Sequence, residues 1–372
     1  MIKTKKNLVL FMPFIGGGGV EKNLYIIANY LSFKFNNLLL CTISTKYKKK
    51  FDKKIKFIVP KKKWSENISI RIIYIVCLYS LFKYLIKNRN CVVLSFQANV
   101  YCILICKLLN IKIIVRSNSS PSGWYHNFIK KSIYKILISF ADIVIVNSLS
   151  FKKQMEERFN IKVKCIFNPL NKKEILKLSK KKTKDRFFIS QKKIIKIINF
   201  GRLTDQKDHI TLLKALCLLK KNINFRLIIF GKGVEYNKLI NFIKKNDLSN
   251  NVKIRNFTDN PFPVLLQADI FILCSRYEGL PNALLEAIVL KKISISSDCP
   301  TGPKEILSNG KGGLLFKVGD YKDLASKIKY SLENKKLLSK KKMYAYKKLE
   351  RYDYDKNLIK YTRLIKPFLI AH

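Results

Sequence analysis

The sequence predicts an α/β protein of two doubly wound domains facing each other across a central cleft. Three observations lead there. Short β-branched runs alternate with longer helical patterns, which indicates parallel strands joined by helical crossovers. The alternation breaks once, over residues 171–193, where Lys crowds the chain and no sustained apolar face appears until Phe187. A second series of similar size then begins. A chain of 372 residues suits two domains of ordinary size, and its 48% hydrophobic content can fill their cores.

In the first series the strand-like runs cover 7–12, 38–43, 55–59, 91–96, 111–115, 142–147 and 163–167, with helical stretches between them such as 21–31 and 130–140. The first run follows Lys3, Lys5 and Lys6 and so imitates a short secretion leader. Four glycines follow it instead of a small-x-small cleavage site, which fits a buried strand entering a glycine loop. Residues 68–86 are apolar over a membrane-spanning length, but Arg71 and Lys83 interrupt them. They predict an amphipathic or buried helix, suited to a membrane interface. The second series covers 194–200, 225–230, 252–257, 269–274 and 293–296, and residues 321–370 have helical patterns. The expected division is 1–180, 181–350 and a closing helix in 351–372.

The formal charge of +50 comes from 74 Lys+Arg against 24 Asp+Glu. Such a balance attracts polyanions, although Lys spread evenly along the chain is also what a general compositional bias produces. No helix-turn-helix, zinc-finger or RNP-like pattern is present, so an anionic membrane surface fits better than a specific nucleic acid. Nine cysteines lie mostly in apolar runs, without Cys-x-x-Cys spacing. They read as reduced core thiols, and no metal site is expected.

Four segments carry candidate chemistry. Gly16–Gly19 follows the first strand and opens a helix, where bare amides and the helix N-terminus favour an anion. A tight strand-to-helix turn would use the same glycines. Gly201, Arg202 and Lys207 follow the first strand of the second series, which can aim two cations into a crevice at the strand ends. Glu278-Gly279-Leu280-Pro281-Asn282, continuing to Glu286, follows a buried strand and starts a helix, a seat for a diphosphate. On one helix Glu278 and Glu286 would stand about 80° apart, so spacing does not make them an acid/base pair. Residues 297–315 contain a Pro/Gly loop, a helix start and glycine turns before a short apolar run, and a connecting loop is the plain expectation there.

Taken in order, these segments resemble the retaining GT-B glycosyltransferases of family 4, over roughly residues 8–316. That resemblance implies two Rossmann-like domains, with the final helix crossing back onto the first. It implies that Arg202 and Lys207 hold the donor diphosphate, that Glu278 meets the transferred sugar, and that Glu286 meets the ribose. Gly279, Leu280, Pro281 and Asn282 would line the phosphates, and Gly17, Gly18 and Gly19 would close over them from the other domain. Gly231 and Gly233 match a turn near the nucleotide, with Lys232 in place of the usual acid. Many relatives carry a His near the acceptor. Here the matching stretch holds Arg116 and Asn118, the acceptor-side candidates, with His126 beside them.

The resemblance implies transfer of a hexose or N-acetylhexosamine, with retention and without a metal or other cofactor. A UDP-sugar is favoured over a GDP-sugar, and the acceptor is a saccharide or lipid-linked saccharide in surface polysaccharide, oligosaccharide or lipopolysaccharide synthesis. The expected location is cytoplasmic, peripheral on the inner membrane face. A nucleotide-sugar epimerase of the same fold, or a basic membrane-binding protein with a degenerate site, are the alternatives.

Overall fold

A computed structural model describes residues 2–16, 18–62, 64, 68–118, 128–183, 185–189 and 194–370. Contacts divide the chain into two units: residues 1–169 with 354–372, and residues 170–353. The division thus falls at 169/170, where sequence patterning had suggested 180/181.

The first unit holds a seven-stranded parallel sheet in the order β3-β2-β1-β4-β5-β6-β7. Its strands are β1 (Asn7–Phe11), β2 (Leu38–Cys41), β3 (Lys56–Ile58), β4 (Cys91–Ser95), β5 (Lys112–Arg116), β6 (Ile143–Val146) and β7 (Val163–Cys165). The run that imitates a leader is the strand β1, paired on both edges, with Leu8 opposite Leu38 and Val92. Its side chains alternate between two cores. Val9 and Phe11 join a layer built with helices Ile70–Lys87, Asn99–Leu108, Phe128–Ser139 and Leu149–Phe159. Leu8 and Leu10 face the opposite layer, made by helices Gly19–Lys34 and Tyr354–Ile370. Strands covered on both faces must be apolar at nearly every position, which is why these runs do not alternate with polar residues. The closing helix is held in this layer by Leu358, Tyr361, Ile365 and Leu369, all fully buried. Each such side chain contributes about 1.5–3 kcal/mol by leaving water.

The second unit repeats the plan with six parallel strands, ordered β10-β9-β8-β11-β12-β13. They are β8 (Ile195–Phe200), β9 (Phe225–Phe230), β10 (Val252–Arg255), β11 (Ile270–Leu273), β12 (Ile293–Ser297) and β13 (Leu314–Phe316). The short apolar run expected in a connecting loop is the edge strand β13, paired to β12 through Leu314 and Ile295. In both units the first strand in the chain sits inside the sheet, so the winding reverses beside it: at β1/β4 and at β8/β11. Chains leave these two strand pairs in opposite directions and open a crevice at their carboxyl ends.

The described residues of the Lys-rich stretch expected as a linker are packed. They include the helix Lys172–Ser179, whose N-terminus is capped by Asn171 accepting from the Glu174 amide at 3.1 Å. Ile175 and Ser179, one turn apart, face inward while the lysines face solvent. One buried apolar residue per turn is too narrow a stripe to register as periodicity. Farther on, Asp185 pairs with Arg255 at 2.9 Å and Phe188 is buried. Residues 68–86 form most of the helix Ile70–Lys87, and no helix among the described residues is long and apolar enough to cross a membrane.

Candidate functional site

At the β8/β11 reversal, two of the sequence segments come together. Leaving β8, the chain passes Gly201 and Arg202 and makes a short helical turn at Asp205–Lys207. Leaving β11, it passes Ser275 and Glu278 before the helix Asn282–Val289. Lys207 and Glu278 form an ion pair, and Ser275 donates its hydroxyl to the same carboxylate oxygen at 2.6 Å. The pair is largely covered, with side chains 17% and 8% exposed. Arg202 is exposed beside it, its guanidinium 3.5 Å from the Gln206 amide oxygen.

The backbone around this pair is stitched from both sides. The Arg276 amide donates to the Gln206 carbonyl at 2.8 Å, and the Gln206 side-chain amide donates to the Tyr277 carbonyl at 2.9 Å. Thr301 donates to the Glu278 carbonyl, and Ser297 donates to the Ser275 carbonyl at 2.6 Å. The segment after β12 is therefore a brace for the Glu278 loop. Gly302 shows how close the two come: its φ is +88°, and a Cβ there would stand 2.5 Å from the Gly279 oxygen. Gly231 and Gly233 serve the other side. A Cβ on either would press into the Gly201 or Leu203 carbonyl, at 2.0 and 2.4 Å, while the Leu203 amide donates to the Lys232 carbonyl at 3.0 Å. The Gly231–Gly233 turn is thus fixed by backbone packing, and Lys232 takes part through its main chain.

Glu278 lies ahead of the helix and Glu286 within it, both buried. They occupy different elements, so separate jobs are natural. Pro281 is the N-cap and makes no side-chain cap hydrogen bond to the amides that follow it, those of Asn282 and Ala283. Those amides carry the positive end of a helix dipole.

His209 begins the next helix and is buried, with neither ring nitrogen hydrogen-bonded among the described residues. Burial, with Lys207 nearby, pushes its imidazole down to about 3. The ring is neutral at pH 7 and stands against Gly201, where an added Cβ would lie 3.6 Å from Nε2. Sequence spacing offered no hint of this, because a lone His after a Lys has no recognisable pattern.

In the first unit, Gly18 is the N-cap of helix Gly19–Lys34 and has an extended backbone. Glu21, in the first turn, accepts from the Gly16 amide at 3.3 Å. A carboxylate of the chain itself thus engages the glycine loop. Gly17 and His126 lie outside the described residues.

Arg116 ends β5 and is fully buried, with its backbone paired to Ile145 of β6. Its guanidinium donates to Tyr361 at 2.8 Å, to Asn168 at 2.6 Å and to Asn118, and it lies 5.9 Å from the Phe96 ring centroid. Asn118 in turn donates to the Phe96 carbonyl at 2.9 Å. Burial pushes the Tyr361 phenol up, with Arg116 pulling the other way. Arg116 and Asn118 form an internal lattice that ties strand ends to the closing helix.

Comparison with known proteins fits this geometry. Residues 180–348 match the family model of glycosyl transferases group 1. An uncharacterized glycosyltransferase of Methanocaldococcus jannaschii is 35% identical over 206 residues, covering 53% of this chain and 51% of that one, so the chain matches about half of that relative's length. A Campylobacter jejuni N-acetylgalactosaminyltransferase, named for an acceptor on diphospho-undecaprenol, is 26% identical over 355 residues, covering 89% of this chain and 92% of that one. Among solved structures, Anabaena HepE in complex with UDP and glucose superposes with a TM-score of 0.80 at 16% identity, over 97% of this chain and 100% of that one. At that identity the likeness establishes the fold of two Rossmann-like parallel-sheet units.

Proposed function

We propose that this chain, a glycosyltransferase carrying the group 1 domain, moves a hexose or N-acetylhexosamine from a UDP-sugar to a saccharide or lipid-linked saccharide, with retention. The observation that carries the proposal is the Lys207–Glu278 pair. It joins the two strand-end segments at the β8/β11 reversal, with Arg202 exposed alongside.

Sugar transfer passes through an oxocarbenium-like state, with negative charge growing on the departing diphosphate. Arg202 and Lys207 meet that charge, helped by the amides from Gly279 to Asn282. Lys207 can turn from Glu278 to a phosphate without leaving its seat, and Glu278 is then freed for the sugar hydroxyls. Glu286 takes the ribose. The bond from the anomeric carbon to the phosphate oxygen breaks, the acceptor oxygen bonds to that carbon on the same face, and the acceptor's proton goes to the leaving phosphate oxygen. Cations and amides do this work, so no metal is needed. EDTA should leave the rate unchanged; a loss restored by Mg²⁺ would contradict the metal-free site.

The Campylobacter relative's name supports a lipid-linked acceptor, and the charge of +50 supports work on an anionic membrane surface. The reaction belongs to surface-glycan assembly on the inner membrane face. The test is release of UDP from a UDP-sugar with and without a diphospho-polyprenyl saccharide. Release that depends on the acceptor supports the proposal. Conversion of one UDP-sugar to another without release, or binding without turnover, overturns it.

A further inference from the structure

The outer helical layer of the first unit has a property that donor chemistry does not use. Helices Ile70–Lys87, Asn99–Leu108 and Phe128–Ser139 pack side by side over one face of the sheet. Each sends apolar residues inward, such as Cys77, Cys106 and Ile138. Each also turns a second apolar stripe outward at the same i, i+3, i+7 spacing. On the first helix the stripe is Ile72, Ile75 and Tyr79; on the second, Tyr101, Leu104 and Leu108; on the third, Ile133 and Ile136, continued by Phe140 in the turn just past its end. These are exposed, Leu108 at 78% and Ile75 at 66%. Three neighbouring helices that each turn an apolar stripe outward, with cations beside the stripes, make an exposed apolar face needing cover.

The charges around that face say what covers it. No Asp or Glu occurs between Glu66 and Asp142. Asp142 itself is held by Lys107 at 2.8 Å and Lys112 at 3.0 Å. Over the same stretch Arg71, Lys83, Lys87 and Lys135 are exposed. A second copy seated on this face would set cation against cation. An anionic bilayer satisfies both features: its acyl boundary takes the aliphatic stripes, its headgroups take the lysines, and Tyr79 and Tyr101 suit the level between.

We propose that this three-helix face docks the protein on an anionic lipid surface, lying on it without spanning it. This deepens the membrane-surface part of the proposed function and rests on it. The test uses the full chain and sedimentation with phosphatidylcholine vesicles, with and without phosphatidylglycerol. Binding should be at least about tenfold stronger with phosphatidylglycerol. The exposed triple change Ile75→Ser, Leu108→Ser and Ile136→Ser should lower it about tenfold or more, and Lys244→Gln with Lys245→Gln on the second unit should change it less than about twofold. Absence of anionic preference, equal binding by the triple variant, or equal loss in the second-unit variant would each overturn the proposal. So would a wild-type dimer that ignores vesicles and becomes monomeric in the triple variant. Thermal stabilisation by a UDP-sugar, measured on the same samples, is independent of docking. If it fails while vesicle binding behaves as stated, the donor assignment falls and the docking face stands.

Discussion

Lys207 and Arg116 are both cations at the carboxyl ends of parallel strands, and the structure uses them in opposite ways. Lys207, in the second unit, keeps part of its side chain at the surface and pairs with the Glu278 carboxylate. Arg116, in the first, is sealed from solvent and spends its donors on Tyr361, Asn168 and Asn118. A charge paired at the rim can exchange partners at little cost, whereas a buried guanidinium held by neutral oxygens is committed to the architecture. The second unit thus holds the cation that we propose a phosphate recruits. The first unit holds a cation that locks β5 to the closing helix.

The sharpest way to break this contrast is to remove charge on the donor side. Arg202→Ala or Glu278→Gln should each cost about 3–4 kcal/mol of transition-state stabilisation, roughly 100–1000-fold in rate, with circular dichroism unchanged. Full activity in either variant would dissolve the site. Arg116→Ala should do the reverse, losing about 2–3 kcal/mol of stability as buried acceptors lose their donor. Its activity per folded molecule should fall far less than that of Arg202→Ala, as calorimetry and a rate measurement on the same sample would establish.

Gly302→Ala tests the brace between the β12 and β11 loops. Its φ of +88° and the 2.5 Å approach to Gly279 predict strain of about 1–3 kcal/mol, read as a lower Tm and weaker UDP-sugar binding together. Loss of stability with unchanged donor affinity would separate the brace from the site.

His209 gives the smallest effect. Its folded pKa of about 3 lies below the ordinary 6.5, so the unfolded chain takes up a proton that the folded chain refuses. Stability from this group is present above pH 6.5 and drains as pH falls toward 3. Relative to His209→Gln, the wild type should lose about 1 kcal/mol between pH 6.5 and about pH 5.5. Parallel pH profiles of the two proteins would mean that the folded ring takes up its proton as readily as the unfolded one.

Much of the fold was legible because parallel strands buried on both faces must be apolar runs, as Leu8–Phe11 and Ile270–Leu273 are. The strands missed or mis-ended depend on partners the local sequence does not name. Leu314–Phe316 is a strand only because Ile295 lies beside it, and Arg116 is a strand residue because Ile145 pairs with it. In the proposed site, motif order picks out Glu278, Arg202 and Lys207, and the structure brings Lys207 and Glu278 into contact. Ser275, Gln206 and Thr301 act across loops distant in sequence, through contacts that no spacing rule encodes. The inward turn of Arg116 depends on Tyr361, far along the chain.

The most direct test of the central claim is thermal stabilisation by nucleotide sugars of the wild type and Arg202→Ala side by side. At a ligand concentration a hundredfold above Kd, mass action gives about 2.7 kcal/mol of stabilisation. The account predicts that a UDP-sugar stabilises the wild type by that order and that Arg202→Ala loses most of the gain while remaining folded. Equal stabilisation of both proteins, or none of the wild type by any nucleotide sugar, would contradict a donor site at the β8/β11 strand ends.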